Sequence, residues 1–241
     1  MTTARGRRFI DLLAVPRTQP AAMAPERPVT RWTVACTAML PTVLTSAWLI
    51  AGALQPPDYS PVRQTVSVLA GHAGSHRWIM TSALYVVGAG YLVTAALMTV
   101  LSAPCRAGLV LAGAAAIGVA SFPQPEHGTS QAHAVCTGIG AITLASWPAV
   151  AARQHSVRAA LGARVTNTAI VVSALVFFWT FIETRDGTAL GLAERVSSVG
   201  QACWPLVVAL ALRGAQAGAQ PGERRDDARD GALDAARSQR C

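Results

Sequence analysis

The residues of this sequence that could do chemistry lie in short polar segments between long apolar runs. All histidines except His155, and every carboxylate outside residues 1–31 and 213–241, lie in or directly beside alternate segments of this kind, which would share one side of a membrane. Histidines and carboxylates are common acid–base groups in enzymes and common ligands of metals. The residues concerned are Asp58, His72, His76, Glu126, His127, His133, Glu183, Asp186 and Glu194.

A metal centre would need three or four such ligands held together. His72 and His76 are four residues apart, but flanking glycines argue against a shared helical face. The interval from His127 to His133 is not a standard ligand spacing. We therefore predict no metal and no cofactor. The weak metal candidates are His72, His76, His127 and His133.

A hydrolase is a second possibility for the same segments. It would combine Asp58, a nucleophile at Ser60 or Ser67, and one of the histidines. Such an arrangement depends on a three-dimensional geometry that residue spacing does not establish.

A structural role is the favoured alternative. In it the polar groups pair with one another and cap helix ends, and Arg63 or Arg195 bridges carboxylates such as Asp58, Glu183 or Glu194. Enzymatic activity is accordingly not the favoured prediction.

The elements that must position these residues are membrane-spanning helices. The chain has 241 residues, 52% hydrophobic and only 13% charged, whereas soluble domains carry about 25% charged residues. Six charge-poor windows are long enough to cross a bilayer; a soluble bundle would have too little polar surface to cover so many apolar runs. We predict an all-α polytopic bundle of six transmembrane helices. The windows are 32–54, 78–101, 107–123, 132–152, 165–182 and 196–212.

The distribution of arginine predicts the orientation. Most arginines lie in the terminal segments or in alternate loops, and short loops rich in arginine stay in the cytoplasm. Both termini should therefore be cytoplasmic, in a multi-pass protein of the plasma membrane whose partners are membrane lipids and not nucleic acid. The arginines left for the outer side are Arg63, Arg77, Arg185 and Arg195.

The terminal segments have no apolar periodicity. Residues 1–31 and 213–241 are predicted to be disordered cytoplasmic tails around a transmembrane domain at 32–212. The amino end does not resemble a cleavable signal peptide, since the first apolar run is long enough to span. Met23 is an alternative start.

The longest predicted outer loop is expected to contain a short amphipathic helix. Ser60 would cap it, Pro61 would be its first residue and Gly71 would end it. Such a helix could anchor at the membrane interface or cover the mouth of the bundle.

The residue types within the six windows indicate how the helices pack and which kind of transport is disfavoured. The third window is rich in glycine and alanine, so it should be the most enclosed helix. No Asp, Glu, Arg or His lies deep in any window, which argues against proton-coupled transport.

Three segments of the chain resemble a known membrane family, the domain of unknown function 998. They are DYSPVRQTVSVL at 58–69, Phe122-Pro123 followed by His127 and His133, and GLAERV at 191–196. The resemblance covers about residues 32–212 and implies a compact bundle of about six helices, in bacteria and archaea, without a settled activity. Family members often have an aspartate soon after the Phe-Pro pair, whereas Glu126 is the first acid here.

The resemblance and the residue types together define a predicted polar cluster at the outer mouth of the bundle. We expect a protein that binds or senses a lipid or small molecule, or a structural envelope component. The alternatives are a metal-dependent intramembrane hydrolase acting on a lipid headgroup and a facilitative carrier. The resemblance makes Arg63, Ser67, His133, Glu194 and Arg195 the first residues to test. The full cluster is Asp58, Arg63, Ser67, Glu126, His127, His133, Glu194 and Arg195.

Overall fold

The computed structural model describes residues 28–128 and 130–238. Within these residues the chain forms eight helices and no strand. Residues 1–27 of the predicted N-terminal tail lie outside the described residues. The helices are α1 Arg31–Ala53, α2 Val66–Ala70, α3 Trp78–Leu97, α4 Ala103–Ser121, α5 Gln131–Ala151, α6 His155–Leu161, α7 Ala163–Asp186 and α8 Leu190–Ser238.

Six of these helices are long and apolar enough to cross a membrane: α1, α3, α4, α5, α7 and α8. The prediction of an all-α bundle with six spans is confirmed, and the chain is a multi-pass membrane protein. Each span overlaps one predicted window. Helix α4 begins earlier than predicted because Pro104 is tolerated in a first turn. Helix α8 begins before Glu194 and continues beyond Leu212 to Ser238.

The six spans form a closed ring. Helix α1 contacts α3 and α8, and the ring continues from α3 through α4, α5 and α7 back to α8. Its core contains large, fully buried side chains, among them Leu40, Met80, Leu109, Trp147 and Val208.

Small residues bring α3 and α4 together. A Cβ atom on Gly88 would collide with the Gly113 carbonyl, and one on Gly113 would collide with the Gly88 carbonyl. Helix α3 is nevertheless more buried than α4, contrary to the expectation for the third span. The reason is that α3 lies between α1 and α4 and also contacts α2, while Val110 and Leu111 leave one face of α4 exposed.

The short helices lie at opposite ends of the ring. Residues 54–77, 122–128 and 187–189, with α2, form what we term the Arg195 end; residues 98–102 and 152–162, with α6, form the Gln154 end. Helix α2 ends before Gly71 as predicted, but it begins at Val66 and not at Pro61. Residues 61–63 form a turn instead, closed by a 2.8 Å bond from the Gln64 amide to the Ser60 carbonyl.

Candidate functional site

Arg195 joins the start of α8 to the loop that precedes α2. Its side chain is only 9% exposed. Atom Nη1 donates to the carbonyl oxygens of Pro61 at 2.7 Å, Gln64 at 2.8 Å and Gly191 at 2.8 Å. Atom Nη2 donates to the Tyr59 hydroxyl at 2.5 Å. One guanidinium thus satisfies three backbone carbonyls and a phenol.

Glu194 makes the complementary contact. Its Oε2 atom accepts a 2.7 Å hydrogen bond from the amide of Val66, the first residue of α2. The first amides of a helix have no partner within the helix, and a carboxylate there is favourable. Adjacent residues of α8 therefore bind the loop in opposite senses, since Glu194 accepts and Arg195 donates. We call these two side chains and their partners Tyr59, Pro61, Gln64 and Val66 the clasp.

Gly191 allows α8 to approach the loop closely. A Cβ atom at this position would collide with the carbonyl oxygens of Pro61 and Gln64. One residue later, the Leu192 amide donates to the Val62 carbonyl at 3.0 Å. The backbone of α8 and its charged side chains therefore hold the same turn.

Aromatic contacts complete the clasp. The Arg195 guanidinium lies 6.0 Å from the ring centroid of Trp48 in α1, within the range of a cation–π interaction. The Tyr59 ring lies against Gly52 of the same helix. Burial raises the pKa of the Tyr59 phenol, an effect that the neighbouring Arg195 charge partly offsets. The phenol therefore remains neutral at ordinary pH.

The expected pairing of Arg195 with carboxylates is not what the structure contains. Its guanidinium bonds to carbonyl oxygens and a phenol because the turn at residues 60–64 places these acceptors nearest to it. Glu183 is likewise bonded to uncharged donors, the Trp179 indole at 3.1 Å and the Ala189 amide at 2.8 Å. The Asp58 and Arg63 side chains are exposed.

The other members of the predicted cluster are dispersed. Ser67 is the exception, since it is half-buried and its side chain lies against the Glu194 carboxylate, whereas Glu126 and His127 are exposed. His133 is buried, and its Nδ1 atom lies 2.9 Å from the Phe122 carbonyl. His133 thereby links the start of α5 to the end of α4.

The histidines considered for a metal are not assembled into one group. His72 and His76 are exposed, and the Nδ1 atom of His72 lies 2.7 Å from Arg77. Among the side chains that the structure describes, which exclude Asp186 and those after residue 219, no three from His, Cys, Asp or Glu are placed to hold one ion. The clasp and the histidines are therefore separate features of the Arg195 end.

A concavity near Phe181 and Arg185 lies at the end of α7, and a lateral groove of similar volume lies between α7 and α8. Its volume is about 520 Å³. Apolar side chains form most of its lining, and an arginine lies among them. Residues that characterise the groove are Arg164, Val172, Val176, Val196, Gly200 and Trp204.

Comparison with known protein families gives a match over the region of the six spans. A family model described as "Protein of unknown function (DUF998)" matches residues 24–211. The chain belongs to the DUF998 family. No curated protein and no solved structure matches it. The DUF998 match includes the whole clasp and every residue that lines the groove.

Several residues of this DUF998 protein were not singled out from the sequence. Tyr59, Gln64 and Gly191 lie inside the segments that carry the family resemblance, which was a usable signal. Gln55 lies outside those segments, and the sequence contained no signal for it. Its side-chain amide nevertheless donates to the Ser75 carbonyl at 2.8 Å and accepts from the Ser75 backbone amide at 3.0 Å. The groove residues resemble ordinary span residues in the sequence.

Proposed function

We propose that this DUF998 protein is a non-catalytic lipid-binding protein of the plasma membrane. The observation that carries the proposal is the groove between α7 and α8, which is open to the side within two apolar spans. Its volume of about 520 Å³ falls in the range of about 300–1,000 Å³ that is usual for ligand sites.

The lining favours an acyl chain over a polar solute. Val172, Val176 and Val196 contribute apolar surface. Gln201, the largest uncharged polar side chain of the lining, donates to the Ser197 hydroxyl at 3.0 Å and is thereby engaged within α8. The Trp204 indole N–H in the lining has no hydrogen-bond partner among the described residues. The remaining lining surface is mostly apolar, which favours a hydrocarbon chain over a water-soluble ligand.

The clasp supports this proposal as a scaffold. Arg195 and Glu194 hold α8 immediately before Val196 and Ser197, two residues of the groove wall. Because their hydrogen-bonding groups are engaged with the backbone of the loop, they are suited to keeping the groove preformed and less suited to acid–base chemistry.

A groove-filling variant tests lipid binding. A Cβ atom on Gly200 meets no atom within 4 Å, so Gly200→Phe should occupy the groove without a backbone collision. Gly138→Phe is the matched control, because it is also open but lies in α5 away from the groove. Native mass spectrometry of protein released from lipid nanodiscs should find fewer bound lipids with Gly200→Phe only. Equal lipid retention by both variants would refute the proposal.

The proposal includes cytoplasmic termini, which place the Arg195 end outside the cell. A cysteine replacing Ser75 should then react with an impermeant thiol reagent in intact cells, while a cysteine replacing Ser156 should react only after lysis. The reverse labelling pattern would overturn this orientation.

A further inference from the structure

The groove has one charged terminus. Arg164, the second residue of α7, is exposed and belongs to the lining. From Arg164 the lining follows α7 as far as Val176, a distance of about 18 Å at 1.5 Å per residue. One leaflet contributes about 15 Å to the hydrocarbon core. On α8 the lining runs from Trp204 to Val196, the residue next to Arg195, so the groove extends from the headgroup level at Arg164 past the middle of the bilayer.

The charge around this terminus is of one sign. Among the side chains described up to residue 219, the carboxylates Asp58, Glu126, Glu183 and Glu194 belong to the Arg195 end. Arginines surround the Gln154 end instead, where they favour an anionic membrane surface. These arginines are Arg31, Arg106, Arg153, Arg158, Arg164 and Arg213.

We infer that the groove binds an anionic phospholipid drawn from the leaflet at the Gln154 end. The headgroup phosphate binds the Arg164 guanidinium, and one acyl chain lies along Val172 and Val176 between α7 and α8. The inference rests on the proposed lipid-binding function and adds the headgroup class and the leaflet. The positive charge of Arg164 at one terminus favours an anionic headgroup over a neutral one. The apolar lining beyond it favours an acyl chain over a second copy of this chain.

The experiment compares headgroups on otherwise identical lipids. The protein is reconstituted in nanodiscs of equal parts palmitoyl-oleoyl phosphatidylglycerol and palmitoyl-oleoyl phosphatidylethanolamine, and native mass spectrometry gives the ratio of the two lipids retained. Arg164→Gln should lower the glycerol-to-ethanolamine ratio about five-fold, the effect of one arginine at a charged surface. Arg164→Lys should preserve the ratio. Arg153→Gln is the matched control, because Arg153 is an exposed arginine of the same end outside the groove lining.

The outcomes separate the headgroup inference from lipid binding itself. If Gly200→Phe removes bound lipid while Arg164→Gln leaves the ratio unchanged, the headgroup inference fails and lipid binding stands. If Arg153→Gln lowers the ratio as much as Arg164→Gln, a diffuse surface charge replaces the site and the inference also fails. If Gly200→Phe leaves lipid retention intact but converts a dimer to a monomer, the groove is a contact between copies and both proposals fail.

Discussion

The two ends of the helical ring are held by different chemistry. At the Arg195 end, a carboxylate and a guanidinium bind the backbone of a long loop. At the Gln154 end, the neutral amide of Gln154 holds the connection between α3 and α4, together with one N–H of Arg106, which donates to the Ala95 carbonyl at 2.8 Å. Gln154 donates to the Val100 carbonyl at 2.7 Å and accepts from the Ser102 amide at 2.9 Å. Nearby, the Trp147 indole donates to the Cys105 carbonyl at 2.9 Å.

The difference follows from the number of backbone groups that each end must satisfy. The connection between α3 and α4 is short, and a primary amide with one N–H from Arg106 has enough donors and acceptors for it. Residues 59–66 instead present several carbonyls and a helix start, so a group with five N–H donors is required beside a carboxylate. Charged residues at a membrane boundary can thus indicate a loop with many backbone groups to satisfy, and need not indicate a reaction centre.

The strongest test of this difference is to remove the guanidinium. Arg195→Ala removes the charged donor that binds the carbonyls of Pro61, Gln64 and Gly191 and the Tyr59 hydroxyl, so we expect a loss of about 3 kcal/mol in the free energy of unfolding. Unfolding in mixed detergent micelles measures the loss. Arg63→Ala, at an exposed position of the same loop, is the control. A loss of stability no larger than that of the control would show that Arg195 does not stabilise the loop.

A second test adds volume where the backbones meet. Gly191→Ala places a methyl group against the carbonyls of Pro61 and Gln64, and overpacking of this kind costs about 2 kcal/mol. Gly200→Ala in the same helix is the control, because its Cβ atom meets open space. Both variants are followed by unfolding in mixed micelles. Equal stability of the two would mean that α8 does not require close approach to the loop.

The Gln154 end should be less sensitive. Gln154→Ala removes hydrogen bonds to uncharged backbone groups, with an expected loss of about 1 kcal/mol; Gln131→Ala, at an exposed glutamine, controls for the loss of an amide. Combined with Arg195→Ala, its effect should be additive to within about 0.5 kcal/mol because the ends are far apart. A larger deviation would show that the ends are energetically coupled.

The sequence was sufficient for the spans because lipid excludes charge, and charge-free windows therefore mark the helices. The same reasoning placed the start of the last span after Arg195. The helix instead starts at Leu190, before both charged residues. The prediction missed this start because the backbone of the loop forms hydrogen bonds with both Glu194 and Arg195. Backbone acceptors are hidden from residue patterns, since every residue has a carbonyl. The groove was likewise hidden, because it depends on how α7 and α8 pack.

The smallest expected effect concerns the pH dependence of the clasp. Burial raises the pKa of Tyr59 above its ordinary value of 10.0, with Arg195 partly offsetting the effect. A group that holds its proton more tightly when folded contributes full stability below the unfolded pKa and loses it as the pH rises through the folded pKa. The melting temperature in detergent should therefore fall less between pH 8 and pH 11 in Tyr59→Phe than in the parent. Identical alkaline profiles for Tyr59→Phe and the parent would mean that the phenol is not desolvated, and that the Arg195 end depends on its carbonyl contacts alone.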